Sequence, residues 1–190
     1  MHDQFKISIN PLMDFTEEEY QHFKNRFTKI NLPKGECWFR SGKICNQLAF
    51  VESGILRQYY VTDDGNEVTC HFALKGEFIT SYQSFTQHIV SNENIEAITE
   101  CDLLVIDQSN FSNLISEFPQ TKLLWDFSIQ KFILQMEDRI AMLQSLSAEK
   151  RYLYLFKHHP EFLLYIPLQY IASYLGITPQ HLSRLRKTIS

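Results

Sequence analysis

Cysteine is scarce in this chain, and its scatter excludes more than its number does. Cys37, Cys45, Cys70 and Cys101 form no Cys-x-x-Cys pair, so neither a zinc site nor a redox couple is expected, and the four read as reduced, packed thiols. No apolar run approaches the roughly 18 residues that a membrane span needs. The opening MHDQFKISINPLMDF lacks a basic start followed by an apolar stretch, so no secretory signal is read and the cytoplasm is the expected location. Repeats and low-complexity tracts are lacking too. With 44% hydrophobic, 14% aromatic and 21% charged residues, the composition is far from disordered or collagen-like chains. The 190 residues suffice for one good core, or for a larger and a smaller domain.

Two further absences are local. No Lys or Arg occurs from Phe78 through Cys101, and no Asp or Glu follows Glu161. The second makes the chain electrically lopsided. Residues 1–147 carry 12 Lys and Arg against 20 Asp and Glu, net −8, whereas residues 148–190 carry 6 against 2, net +4. An acidic body with a basic end fits a protein whose end alone meets a polyanion.

The elements follow from pattern. Thr16-Glu17-Glu18-Glu19 has the form of a capping box and predicts a helix to about Phe27, with Tyr20, Phe23 and Phe27 apolar. From Lys29 to about Gln83, short β-rich runs alternate with turn signals, Pro33-Lys34-Gly35 through Lys75-Gly76, predicting a sandwich or barrel. The clearest hairpin pairs Gly54–Thr62 with Glu67–Phe72 across Asp64-Gly65. A short helix near Tyr82–Phe85 and two more strands to Asp107 close the β unit. Gln120 to Leu146 contains neither Gly nor Pro and predicts one long helix after Pro119. Trp125, Ile129, Phe132, Met136 and Leu143 recur on it in steps of three and four, broken by Arg139, and are read as a dimer seam. Ser147-Ala148-Glu149 starts another helix, which Pro160 ends.

YIASYLGITPQHLSR, residues 170–184, carries the functional signal. Leu168, Ile171 and Leu175 share one helical face, with small Ala172 beside them. Gly176 suits the left-handed residue that ends a helix. Thr178 and Pro179 suit the N-cap and first turn of the next. On that second helix Leu182, Leu185 and Ile189 turn inward, Gln180, Ser183, Arg184 and Lys187 outward, and His181 and Arg186 lie at the edges. Two helices joined by a glycine turn, the second with a polar and cationic outer face, have the form of a helix-turn-helix.

With these features the chain resembles the Crp/Fnr family of bacterial transcription regulators over nearly its whole length. The β-unit markers are Gly35, Gly42, Gly54 with Arg57, Asp64-Gly65 and Gly76-Glu77, ahead of the long helix and the helix-turn-helix. The resemblance implies an α+β protein. Residues 1–118 would form a cyclic-nucleotide-binding-like double-stranded β-helix (jelly-roll) with flanking helices, residues 119–146 a dimerisation helix, and residues 147–190 a helix-turn-helix DNA-binding domain. It implies a homodimer, double-stranded DNA carrying an inverted repeat, and RNA polymerase as a candidate partner, with no enzyme activity, metal, cofactor or membrane. Thr178, Pro179, Gln180, His181, Ser183, Arg184, Arg186 and Lys187 become the candidate DNA contacts. Among them Arg184 suits guanine and Gln180 adenine, while Thr178, Arg186 and Lys187 suit phosphates. Gly76, Glu77, Phe78, Ser91 and Asn92 become the effector-pocket candidates for a small molecule of unknown identity.

Departures from the family pattern shape these expectations. Nucleotide-binding members place an arginine about where Ser91-Asn92 stands. Without a cation there, a buried cyclic phosphate loses its charge-assisted hydrogen bonds, so cAMP is not expected in the usual mode. Cys37 and Cys45 match no iron-sulfur spacing, and His71 and Cys70 read as packed residues rather than haem ligands. Pro179-Gln180 replaces the Arg-Glu of many members, which predicts a different operator, and no β-hairpin wing is expected after the last helix. The competing readings are a cupin-like metal enzyme, for which His71, His88 and His158-His159 lack ligand spacing, and a ligand-sensing or partner-binding protein without DNA binding.

Overall fold

The computed structural model describes residues 3–189, with the side chain of residue 189 excepted. The inward placement expected of Ile189 therefore lies outside the described residues. The chain folds into two compact units. One comprises the chain through Gln58 together with Phe72–Gln130, the other Tyr59–His71 together with the residues from Lys131 onward.

The first unit holds most of an antiparallel β jelly-roll built from β1 (Thr28–Leu32), β2 (Cys37–Phe39), β3 (Gln47–Ser53), β4 (Ile55–Val61), β5 (Glu67–Leu74), β6 (Phe78–Ile79), β7 (Glu93–Ala97) and β8 (Cys101–Asp107). One sheet runs β1-β8-β3-β6 and the other β2-β7-β4-β5. The period-two geometry of strands lets the first sheet serve two cores at once. Ala49 and Val51 of β3 and Leu103 and Val105 of β8 point into the roll, where they meet Leu56, Ala73, Ile95 and Ala97. The alternate residues Leu48, Phe50, Leu104 and Ile106 point outward into an aromatic core with Phe5, Phe23, Phe27, Phe111 and Leu124. Burying one such side chain fully contributes about 1.5–3 kcal/mol.

Helices cover that outer face: α1 (Gln4–Ile9), α2 (Glu17–Lys24), α3 (Tyr82–Gln87), α4 (Gln108–Glu117) and the start of α5 (Thr121–Ser145). The capping box of α2 is formed in both directions. Thr16 Oγ1 accepts from Glu19 N at 3.3 Å, and Glu19 Oε2 accepts from Thr16 N at 2.8 Å. Helix α1 was not among the elements expected from the sequence. Asp3 caps it by accepting from Lys6 N, and it is too short to repeat its apolar pair, Phe5 and Ile9, both fully buried.

Gly54, between β3 and β4, has φ +91°, and a Cβ there would lie 2.4 Å from Glu100 O and 2.5 Å from Cys101 Sγ. Only glycine fits that approach. One strand later the β4–β5 hairpin turns at Gly65, φ +78°, where the Gly65 amide donates to Thr62 O.

The second unit adds to the rest of α5 the helices α6 (Ala148–His158), α7 (Pro160–Tyr165), α8 (Leu168–Tyr174) and α9 (Pro179–Ile189). Ser147 caps α6 through Lys150 N. Pro160 follows the end of α6, as expected, but it also occupies the first turn of α7, where its missing N–H is harmless. Phe162 anchors that extra helix, 5% exposed.

Candidate nucleic-acid interface

Helix α8 ends in a complete Schellman motif. The Ile177 amide donates to Ala172 O at 3.0 Å and the Gly176 amide to Ser173 O at 3.1 Å, with Gly176 at φ +65°. This closes the orphan carbonyls of α8 and swings the chain into the next helix. A Cβ on Gly176 would lie 3.3 Å from both Arg151 Nη1 and Leu143 Cδ2, so the turn is sterically closed as well. Thr178 then caps α9, its Oγ1 accepting from His181 N at 3.2 Å. Of the residues that the spacing turns inward, Ile171, Ala172, Leu175 and Leu182 are at most 2% exposed, and Leu168 is half-buried. Leu185, expected inward, is only half-buried.

The outer face of α9 gathers Thr178, Pro179, Gln180, Arg184, Arg186 and Lys187, all exposed, with His181 and Ser183 half-buried beside them. Pro179, Gln180, Ser183 and Arg184 line a shallow depression on it. The whole candidate set thus falls on one short helix. No Asp or Glu follows Glu161, so the cations on this helix have no acidic side chain within their own helix-turn-helix.

Helix α5 is apolar on two sides. Trp125, Ile129, Phe132, Met136 and Leu143 are all half-buried within the protomer. Trp125 packs among Tyr82, Phe85 and Phe111 at ring-centroid distances of 6.1, 5.8 and 5.3 Å. Phe132 meets His71 edge-on at 5.3 Å. Trp125 and Phe132 of that stripe thus pack in part on the chain's own residues. Leu123, Phe127, Ile133, Leu134 and Ile140, each at least 49% exposed, lie on and beside the opposite face. Periodicity missed this second stripe because a helix that is apolar on both sides carries little directional signal.

The effector-pocket candidates do not form one open set. Phe78 is committed to the aromatic core, 5.0 Å from Phe50, and Gly76 sits under Gln4 and Ser8 of α1. Glu77 Oε2 accepts from Leu74 N at 3.0 Å. The buried Ser91 hydroxyl is bonded to Ser81 Oγ at 2.9 Å and accepts from Glu93 N. Asn92 is exposed. Arg57, cited above only as a marker, is 1% exposed and holds Glu96 Oε1 at 2.8 Å. Its burial is set by β4, whose residues from Ile55 through Tyr59 are all buried, a run without polar alternation that was the available signal. Among the described residues, no three His, Cys, Asp or Glu side chains are grouped to hold a metal ion, and no helix is long and apolar enough to cross a membrane.

Comparison with known proteins agrees with this architecture. Residues 29–118 match the cyclic nucleotide-binding domain. The nitrogen fixation regulation protein FixK of Bradyrhizobium diazoefficiens is 28% identical over 178 residues, spanning 87% of this chain and 73% of its own. The fumarate and nitrate reduction regulatory protein of Yersinia pestis is 25% identical, spanning 83% of this chain and 66% of its own. A CooA variant from Carboxydothermus hydrogenoformans superposes with a TM-score of 0.77 at 21% identity, covering 98% of this chain and 84% of the other. Residues 29–118 thus match a cyclic nucleotide-binding domain, and over most of its length the chain is similar in sequence and fold to regulators of the Crp/Fnr family.

Proposed function

We propose that this protein is a sequence-specific, homodimeric DNA-binding transcription regulator. Residues 1–118 form its regulatory domain, 119–146 its dimer helix and 147–190 its reading head. The observation that carries the reading is α9: a capped helix, anchored by the fully buried Leu182, that shows Gln180, Arg184 and Lys187 to solvent. A helix of this kind enters the major groove with its first turns against base edges. Arg184 pairs with guanine O6 and N7, Gln180 reads adenine, and Thr178, Arg186 and Lys187 hold phosphates.

The second protomer docks on the uncovered face of α5. Twenty-five residues make a rod of about 37 Å, and Leu123, Phe127 and Leu134 run along it in steps of four and seven, the spacing of a coiled-coil seam. Pairing two chains there brings two reading heads into successive major grooves about 34 Å apart, on an inverted repeat. The regulatory domain does not hold a cyclic phosphate in the arginine-clamped mode, since Phe78 through Cys101 supply no Lys or Arg and the Ser91 hydroxyl is already bonded to Ser81.

Selection from a pool of random duplexes, followed by fluorescence anisotropy, tests the reading. The expected result is an enriched inverted repeat bound by two chains. Enrichment of no sequence at all would overturn it.

A further inference from the structure

Within the second unit, the tip of the β4–β5 hairpin shares one set of hydrogen bonds with α5 and α8. Strand β5 is the outer strand of its sheet, and the backbone groups along an outer edge need partners from elsewhere. Ser173 on α8 supplies them twice: its hydroxyl accepts from Thr69 N at 2.9 Å and donates to Glu67 O at 2.9 Å. Arg139 on α5 supplies a third, donating from Nη2 to Thr69 O at 2.8 Å and to Tyr174 O at 3.3 Å. Its guanidinium also lies 4.9 Å from the centroid of the Tyr174 ring. Thr69 is fully buried at the centre of this set. Arg139 is the residue that breaks the apolar rhythm of α5, and the break has a purpose here: an apolar side chain at that position could donate no hydrogen bond to either carbonyl.

We propose that Ser173 and Arg139 are positioning residues for the recognition helix. They fasten α8, and through its packing α9, to the outer strand of the hairpin. The inference rests on the DNA-reading assignment above and extends it to two residues that set the orientation of the reading head. Serine suits the task because one hydroxyl can accept and donate at the same time. Threonine keeps that capacity and alanine has none.

The test compares the wild type with Ser173→Ala, Ser173→Thr and Arg139→Met on a duplex selected by the wild type and on a scrambled duplex. Amide hydrogen exchange is followed across residues 66–70. Ser173→Ala should lose roughly five- to tenfold in affinity for the selected site, keep wild-type affinity for the scrambled duplex, and speed exchange at the Thr69 amide. Ser173→Thr should restore both readouts, and Arg139→Met should resemble Ser173→Ala or exceed it. Faster exchange with unchanged selected-site affinity would overturn the proposal, as would unchanged exchange or a Ser173→Thr variant that behaves like alanine. A wild type without site preference would sink the DNA-reading assignment and this proposal with it. Site preference in the wild type that Ser173→Ala leaves intact would sink the proposal alone.

Discussion

Trp125 lies with its ring centroid 5.3 Å from that of Phe111 on α4, the planes inclined at 60°, and this contact commits one side of the start of α5 to the protomer's own core. The two faces of the helix should respond differently to the same kind of change. Leu134→Glu, at a side chain 61% exposed, should leave the melting temperature within a few degrees of wild type but convert a dimer to a monomer in sedimentation or light scattering. Trp125→Ala should instead destabilise the fold by about 3–5 kcal/mol. A Leu134→Glu protein that remains dimeric would place the seam elsewhere.

Gly176 makes the turn between α8 and α9. Its φ of +65° disfavours any residue with a Cβ, and the added atom would crowd Arg151 and Leu143 at 3.3 Å. Gly176→Ala should cost about 1–2 kcal/mol, a melting shift of about 2–4 °C per kcal/mol in a chain of this size. It should weaken binding to the selected duplex more than Arg186→Ala does, because it tilts the whole helix rather than removing one contact. Calorimetry and anisotropy on the same samples check both parts.

Arg184 and Lys187 share one exposed face but should fail in different ways. Arg184→Ala should lower affinity for the preferred duplex by about 1–3 kcal/mol and relax the choice at one base pair. Lys187→Ala should weaken all duplexes alike and reduce the slope of log affinity against log salt by about one. Titrations at several salt concentrations separate the two. A common response would mean that Arg184 reads the backbone alone.

Asp107 caps α4, accepting from Asn110 N at 2.8 Å and from the Ser109 hydroxyl at 2.7 Å. Those two hydrogen bonds, the backbone one foremost, hold its carboxyl below the ordinary carboxylate range. A carboxylate with a lowered value in the folded state contributes fully above that range and loses its contribution as the pH falls through the lowered value. Asp107→Ala should therefore cost about 1 kcal/mol near neutrality. The gap between the two proteins should narrow as the pH drops below the carboxylate range. Urea unfolding at pH 7 and in acid measures it, and a gap constant with pH would rule out the carboxylate as its source.

What the amino-acid sequence determined by itself was local. The Thr16 capping box, the Gly176 turn and the Thr178 cap each depend on residues within five positions of one another, so side-chain chemistry alone specifies them, and the helix-turn-helix candidates were legible for that reason. What the tertiary structure decided was which surfaces meet. Helix α5 is apolar on two sides, and only the packing of Trp125 against Phe111 shows which side the protomer uses. Arg139 looked like a flaw in a heptad until the Thr69 carbonyl, seventy residues away in the chain, gave it an acceptor. The short α1, recognisable only by the aromatic core that buries Phe5, belongs with these. Burial and edge pairing arise between distant segments, and no periodicity within one segment encodes its partner.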